Sequence, residues 1–220
     1  MIGLRLASIF IDTMQRLGLL NSIFTITTNN DAEMVAMVGI VEITVKAHHH
    51  RDHSIHRMFC IGDVIGHAAQ DILNAGIGPG LDDHDTSIQK PCEKLRKCIS
   101  WIISVDENQE RFESNCIHLS LPETELKLDV EMQWITTYEM LAQAMSQKHA
   151  INSTMEAGPE SIRLSSDDWQ SVNLALHILN ILYKSSELNC SSEYANINMA
   201  TATFIALKSR LHEVVETFGE

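Results

Sequence analysis

The sequence predicts a helix-rich α/β fold, with an α/β part over roughly residues 1–75, a flexible linker over 76–87 and a helical part over 88–220. Three observations predict it. FTITTNNDAEM, residues 24–34, is a short apolar run that stops on polar residues and turns at once into helix-forming sequence, the strand–turn–helix order of α/β proteins. NAGIGPGLDDHD, residues 74–85, concentrates glycine and breaks every periodicity around it. Beyond it Ile88, Cys92, Leu95, Ile99 and Ile102 recur at intervals of four and three, the period of one helix face.

The elements follow in order. Leu6, Phe10, Met14 and Leu17 share a helical face, and Gly18 suits the helix end because it adopts positive φ without strain. Ile23 to Thr28 reads as the first strand, and Asn30 with Glu33 three residues on has the form of a reciprocal helix cap. Val41, Ile43 and Val45 alternate with Glu42, Thr44 and Lys46, which reads locally as a strand or as the continuation of the helix begun at Asp31; both stay open. HHHRDHSIH, 48–56, is polar and without apolar period, an exposed loop. Met58 to Ile61 then reads as a second strand and Val64 to Leu73 as a helix. After the linker, LPETELKLDVEMQ, 121–133, connects two helices, the second with a stripe of Trp134, Tyr138, Leu141 and Met145. Ser165 and Asp168 form a capping box before a long apolar helix to about Tyr183, and Phe204, Leu207, Leu211 and Val214 mark the last helix.

Composition narrows the function classes. The 220 residues, 45% hydrophobic, suffice for a buried core. The formal charge of −13 repels nucleic acid on average, so DNA binding requires a local basic patch. Five cysteines, at 60, 92, 98, 116 and 190, form no CxxC pair and are odd in number, which argues against a disulfide framework and for a reducing compartment. No stretch reaches the run of about 20 apolar residues that spans a membrane.

The candidate sites each have two readings. The histidines at 48, 49, 50, 53 and 56 with Asp52 could converge on a transition metal, but one loop lacks the separate rigid supports of most zinc sites, and a solvated loop is preferred. Cys60 with Asp63 and His67 is treated alike, Cys60 as a small core residue. Trp134 and Tyr138 suit base stacking or the core, and periodicity favours the core. Lys94, Arg96 and Lys97 suit a basic patch or the solvated back of a helix. The glycines near Gly76 lack the strand-before, helix-after setting of a phosphate loop.

Several segments, in order, resemble the hAT superfamily of DNA transposases, in the RNase H-like core with its helical insertion. LGLLNSIFTITTNNDAEM resembles the family's L-G-L-x-x-K-I-x-x-I-T-T-D-N-A-S-N-N-D-x-M, HRMFCIGDVIGHAAQDIL its H-R-[IV]-R-C-x-A-H-x-L-N-L, and LKLDVEMQWITTYEML its L-D-V-x-T-R-W-N-S-T-Y-x-M-L. KLRKCISWI, RFESNC and LSSDDW stand between and after them as in the family. The resemblance implies a partial RNase H-like α/β unit over 1–75 and an all-α insertion over 88–220. It also implies, in the family, three carboxylates that hold two divalent metals for attack on phosphate.

The departures from the family pattern decide the expected function. The first family acid belongs to a strand upstream of the matched segment and the third to a helix after the insertion. Where the second is expected, Thr27-Thr28-Asn29-Asn30-Asp31 offers amides, with Asp31 at a later, noncatalytic position. Cys60-Ile61-Gly62-Asp63 stands for the family's C-x-x-H, and Gln133-Trp134 for its Arg-Trp. The expectation is therefore a truncated transposase-like protein that is not an enzyme, without catalytic or metal-binding residues and without the family's Mg²⁺. It implies a nuclear location, with residual DNA binding through Trp134, Arg57, Lys94, Arg96 and Lys97. The alternative is a domesticated helical protein-interaction module that binds no nucleic acid, self-association through uncovered apolar surface being the further partner expected.

Overall fold

The computed structural model describes residues 2–49, 54–74, 89–122, 125–131, 133–190 and 200–218. The expected linker over 76–87 and residues 50–53 of the histidine run lie outside these. The fold is helix-rich α/β: α1 (Ile2–Arg16), β1 (Thr25–Thr28), α2 (Ala32–His49), β2 (His56–Phe59), α3 (Ile61–Asn74), α4 (Gln89–Ile103), α5 (Asp106–His118), α6 (Trp134–Ser146), α7 (Lys148–Met155), α8 (Ser166–Cys190) and α9 (Ala200–Phe218). The chain divides into two compact units, residues 1–64 and 65–220. The division falls inside α3, whereas the sequence reading keeps that helix wholly with the first unit.

The first unit is a βαβ arrangement preceded by a helix. β1 and β2 pair in parallel, Thr25 opposite His56 and Thr28 opposite Phe59, and a parallel pair requires a crossover, which α2 provides. α1 ends on Gly18 at φ +68, with Leu19 N–H donating to Met14 O and Gly18 N–H to Gln15 O. This is the paired bonding of a helix closed by a left-handed residue. Gly3 and Ala7 are the buried residues of α1. A Cβ on Gly3 would stand 2.7 Å from Glu33 O, so the missing side chain permits close approach of α1 to α2.

In this unit one open reading is decided and three sequence expectations are corrected. Residues 41–46 are helix: Met37, Val38, Val41 and Val45 are all buried, a 3.6-residue face that a strand would split, and Lys46 pairs with Glu42 one turn away at 2.9 Å. Asn30 does not cap α2; Met34 and Val35 donate to Asp31 O instead, and the Asn30 side chain is bound elsewhere. The strands are displaced, β1 starting at Thr25 rather than Ile23 and β2 covering 56–59 rather than 58–61, because the apolar Ile55 is buried ahead of β2 and His56 N–H donates to Phe24 O. The histidine run is therefore no continuous loop: His48 and His49 end α2, and His56 opens β2. Since His56 and Cys60 N–H bond to Phe24 O and Thr28 O, the ladder turns Thr25 and Thr27 main-chain groups away from β2, and among the described residues no strand covers that edge.

The second unit is helical. On α4, Cys92, Leu95, Ile99 and Ile102 are all buried to 2% exposure or less, as the spacing predicts. α5 packs on α4 and α7, α6 on α8, and α8 on α9. The capping box forms in both directions: Asp168 N–H donates to Ser165 Oγ at 3.1 Å and Ser165 N–H to Asp168 Oδ2 at 2.8 Å. It starts a helix that runs past Tyr183 to Cys190. Trp169, just beyond the box, is a fully buried anchor whose indole N–H donates to Asn152. The stripe of α6 is rotated from the expected one: Thr137, Met140, Leu141 and Ala144 are buried, while Trp134, Tyr138 and Met145 are half-buried. On α9 Leu207 and Val214 are buried, and Phe204 is exposed.

Candidate functional site

Two groups of polar side chains contain some of the residues that sequence reading singled out. The first stands at the end of β1. Arg57, on β2, lies with its guanidinium over the Phe59 ring, 4.7 Å from the centroid, and donates to Asn30 Oδ1 at 2.7 Å. The Asn30 main-chain N–H donates to Asp63 Oδ2 at 3.0 Å, and Asn29 Nδ2 donates to Asp31. The acid at position 63 thus ties the start of α3 to the end of β1. Thr28 Oγ1, Asn29 Oδ1 and Arg57 Nη1 are buried without a hydrogen-bond partner, which costs stability at each atom.

These residues do not fit a divalent cation. Hard cations take several oxygen ligands with carboxylates among them, whereas among the described residues no three His, Cys, Asp or Glu side chains converge, Asp31 and Asp63 accept from Asn29 and the Asn30 N–H, and the Arg57 guanidinium on Asn30 opposes a second cation.

The second group lies in the helical unit, where the connecting segment meets α4 and α6. Arg96 Nε donates to Asp129 Oδ1 and Oδ2 at 2.8 and 3.0 Å, Arg96 Nη2 donates to Oδ2 at 2.6 Å, and Thr137 Oγ1 donates to the same oxygen at 2.7 Å. The Asp129 side chain is 6% exposed and that of Arg96 35%. Burial pushes the Asp129 carboxyl up, but the hydrogen bonds from Arg96 and Thr137 outweigh it and hold the group below the usual carboxylate range. The same bonds hold Arg96 above its ordinary value against burial. One turn before Arg96, burial pushes the Cys92 thiol up to about 11, so it is a neutral, unreactive side chain. A polar cavity of about 420 Å³ opens beside this clamp, lined by Gln70, Cys92, Glu93, Asp129 and Thr137 among others.

The remaining candidates are placed as follows. Lys94 pairs with Asp168 at 2.7 Å, so its charge braces the capping box. Lys97 is exposed. Tyr138 stacks on Tyr183, centroids 4.6 Å apart, and donates to Asn180. Trp134 lies half-buried against α3, its Nε1 3.2 Å from where a Cβ on Gly66 would stand. Sequence reasoning missed Asp129 and Thr137. A signal was present: Arg96 follows Cys92 by four and precedes Ile99 by three, which puts it beside the buried stripe, where a guanidinium requires an acid. Arg163 was also missed; it donates to the carbonyls of Met155, Glu156 and Gly158 and closes the end of α7.

Known proteins place the helical unit. The chain is 31% identical over 130 residues to the zinc finger BED domain-containing proteins RICESLEEPER 2 and RICESLEEPER 1 of Oryza sativa subsp. japonica, and 26% identical over 129 residues to RICESLEEPER 3. Each match covers 58% of this chain and 16% of the relative. No solved structure matches the chain. No described helix is long and apolar enough to cross a membrane. The model of the ZBED1 RNase-like helical domain matches residues 66–178, a stretch that contains α4 to α7, the Arg96–Asp129–Thr137 clamp and the capping box of α8. It agrees with the hAT-related, transposase-like character read from the motifs, and on this match the chain belongs to the family of the ZBED1 RNase-like helical domain.

Proposed function

We propose that the chain is a hAT-transposase-derived module without catalytic activity, which acts by binding and, in its helical unit, binds protein rather than DNA. One observation carries this reading: two of the three basic candidates on α4 are committed to internal partners, Arg96 by three hydrogen bonds to Asp129 and Lys94 by its pair with Asp168. Of the two aromatic candidates for base stacking, Tyr138 is stacked on Tyr183 and Trp134 lies half-buried against α3. The absence of activity is supported by the end of β1, where neutral Asn29 and Asn30 stand in place of an acid and Arg57 occupies the Asn30 oxygen. The acidic balance of the chain adds a field that repels DNA.

Residual DNA binding is the second reading, favoured by Lys97, which is exposed on α4; a nuclear location goes with it. The full chain, titrated with labelled duplex DNA over a range of salt and incubated with Mg²⁺ or Mn²⁺, tests both. The expected result is no metal-dependent cleavage and binding weaker than the ~10⁻⁴–10⁻⁶ M of ordinary non-specific contacts. Micromolar, salt-dependent binding weakened by Lys97→Ala or Arg57→Ala would establish the second reading. Cleavage abolished by Asp31→Ala would overturn the non-catalytic reading outright.

A further inference from the structure

The segment 125–130 runs beside α6 and is fixed there by its main chain. Gln143 accepts from Lys127 N–H at 3.1 Å and donates to Glu125 O. Val130 N–H donates to Thr136 Oγ1 at 2.8 Å. Leu126 is buried, and Asp129 is held by Arg96. With every second or third residue anchored inward, Leu128 and Val130 are held outward, 40% and 51% exposed, and Ile135 on α6 is 41% exposed. These exposures therefore belong to a built surface and not to a loose end. Between the segment and α6 lies a groove of about 630 Å³, with Leu128 and the buried Met140 at its apolar part and Glu125 and Glu139 among its lining.

The charge around the groove selects its occupant. Glu125 and Glu139 line it, exposed Glu131 follows Val130, and among the described lining residues Lys127 is the one cation. Nucleic acid would meet carboxylates with phosphates. A second copy would bring another −13 chain against the same acids. We infer that this groove docks a short basic amphipathic peptide segment of a partner protein, its apolar side chains against Leu128 and Met140 and its Lys or Arg residues paired with Glu125 and Glu139. Apolar anchors in a preformed groove supply affinity, and the acidic rim supplies on-rate and selection against acidic partners. This inference rests on the protein-binding reading above and names the partner class for it.

The test uses the full chain and a fluorescein-labelled Leu/Lys peptide of about fourteen residues with helical apolar spacing, followed by anisotropy. Saturable binding is expected, weakened tenfold or more by Glu139→Lys and by Leu128→Ser, both surface changes that should leave tryptophan fluorescence and circular dichroism unaltered. Glu110→Lys makes the same change of net charge at an exposed position of α5 and is expected to leave binding within twofold. Equal weakening by Glu110→Lys, or none by Leu128→Ser, overturns the proposal, because the peptide then senses only bulk charge. Concentration-dependent dimerisation lost in Leu128→Ser would assign the groove to a second copy and overturn it as well. If peptide binding fails while DNA binding is also absent, the groove inference alone falls; displacement of the peptide by duplex DNA would overturn the protein-binding reading itself.

Discussion

Replacing Asp129 should destabilise the helical unit well beyond the effect of an ordinary surface substitution. Asp129→Ala removes the three hydrogen bonds from Arg96 and the one from Thr137, and leaves a guanidinium beside the core without its counter-charge. Removing one partner of a fully buried pair costs about 3–5 kcal/mol. Arg96 is 35% exposed and water can rehydrate part of it, so the expected cost is about 2–3 kcal/mol. With a urea slope of about 2 kcal/mol/M for a unit of this size, the midpoint should fall by about 1–1.5 M. The assay is specific to this unit because all three tryptophans, at 101, 134 and 169, lie within residues 65–220. Arg96→Ala and the double variant complete a cycle, with a coupling energy above about 1 kcal/mol expected. Acid offers a second check. The Asp129 carboxyl is lowered in the folded state, so its contribution is present above the unfolded value near 3.9 and is lost as pH falls through the folded value. The stability gap between the wild type and Asp129→Asn should therefore close below about pH 4. A midpoint shift under about 0.3 M at neutral pH, or a gap that persists in acid, would refute the clamp as an energetic element.

Two further changes test the packing. Ser165→Ala removes the acceptor for Asp168 N–H and should cost about 1 kcal/mol in the same tryptophan-detected unfolding, whereas Ser165→Thr should cost little. Gly158→Ala would place a Cβ 2.8 Å from Met155 Cε and 3.1 Å from the Trp101 ring; overpacking of this kind costs about 1–3 kcal/mol, and the Trp101 emission should shift while the fold persists.

How much was legible follows from which interactions are local. The α4 stripe, the Gly18 helix end and the Ser165–Asp168 box are set by residues within a turn or two of one another, so spacing alone reveals them. The 41–46 stretch, left open between strand and helix, shows the limit: alternation over six residues satisfies a strand, and only the preceding Met37 and Val38 on the same face show that the period is 3.6. The α6 stripe failed for a different reason. Trp134 and Tyr138 are the large residues, yet the small Thr137 and Ala144 are buried, because Thr137 must reach Asp129, a partner eight residues away across a turn that no periodicity encodes.

That failure bears on how transposase-like sequences are read. In the LKLDVEMQWITTY segment, acids, amides and aromatics near basic residues have the look of a DNA interface. In the folded chain Asp129 is bound by Arg96 and Thr137 and Tyr138 stacks on Tyr183, while on α4 Lys94 pairs with Asp168. A charged residue beside a core face has two ways to avoid an unpaired, partly desolvated state, an internal partner or an external ligand, and sequence alone does not separate them. The separation comes from counting. In the helical unit the internal partners account for Arg96 and Lys94, and the surface left beside α6 is acidic with apolar Leu128, Val130 and Ile135 turned outward. A transposase-like motif is thus compatible with the proposed protein-binding surface, because its polar residues build the scaffold and leave the exposed ones between them free to contact a partner.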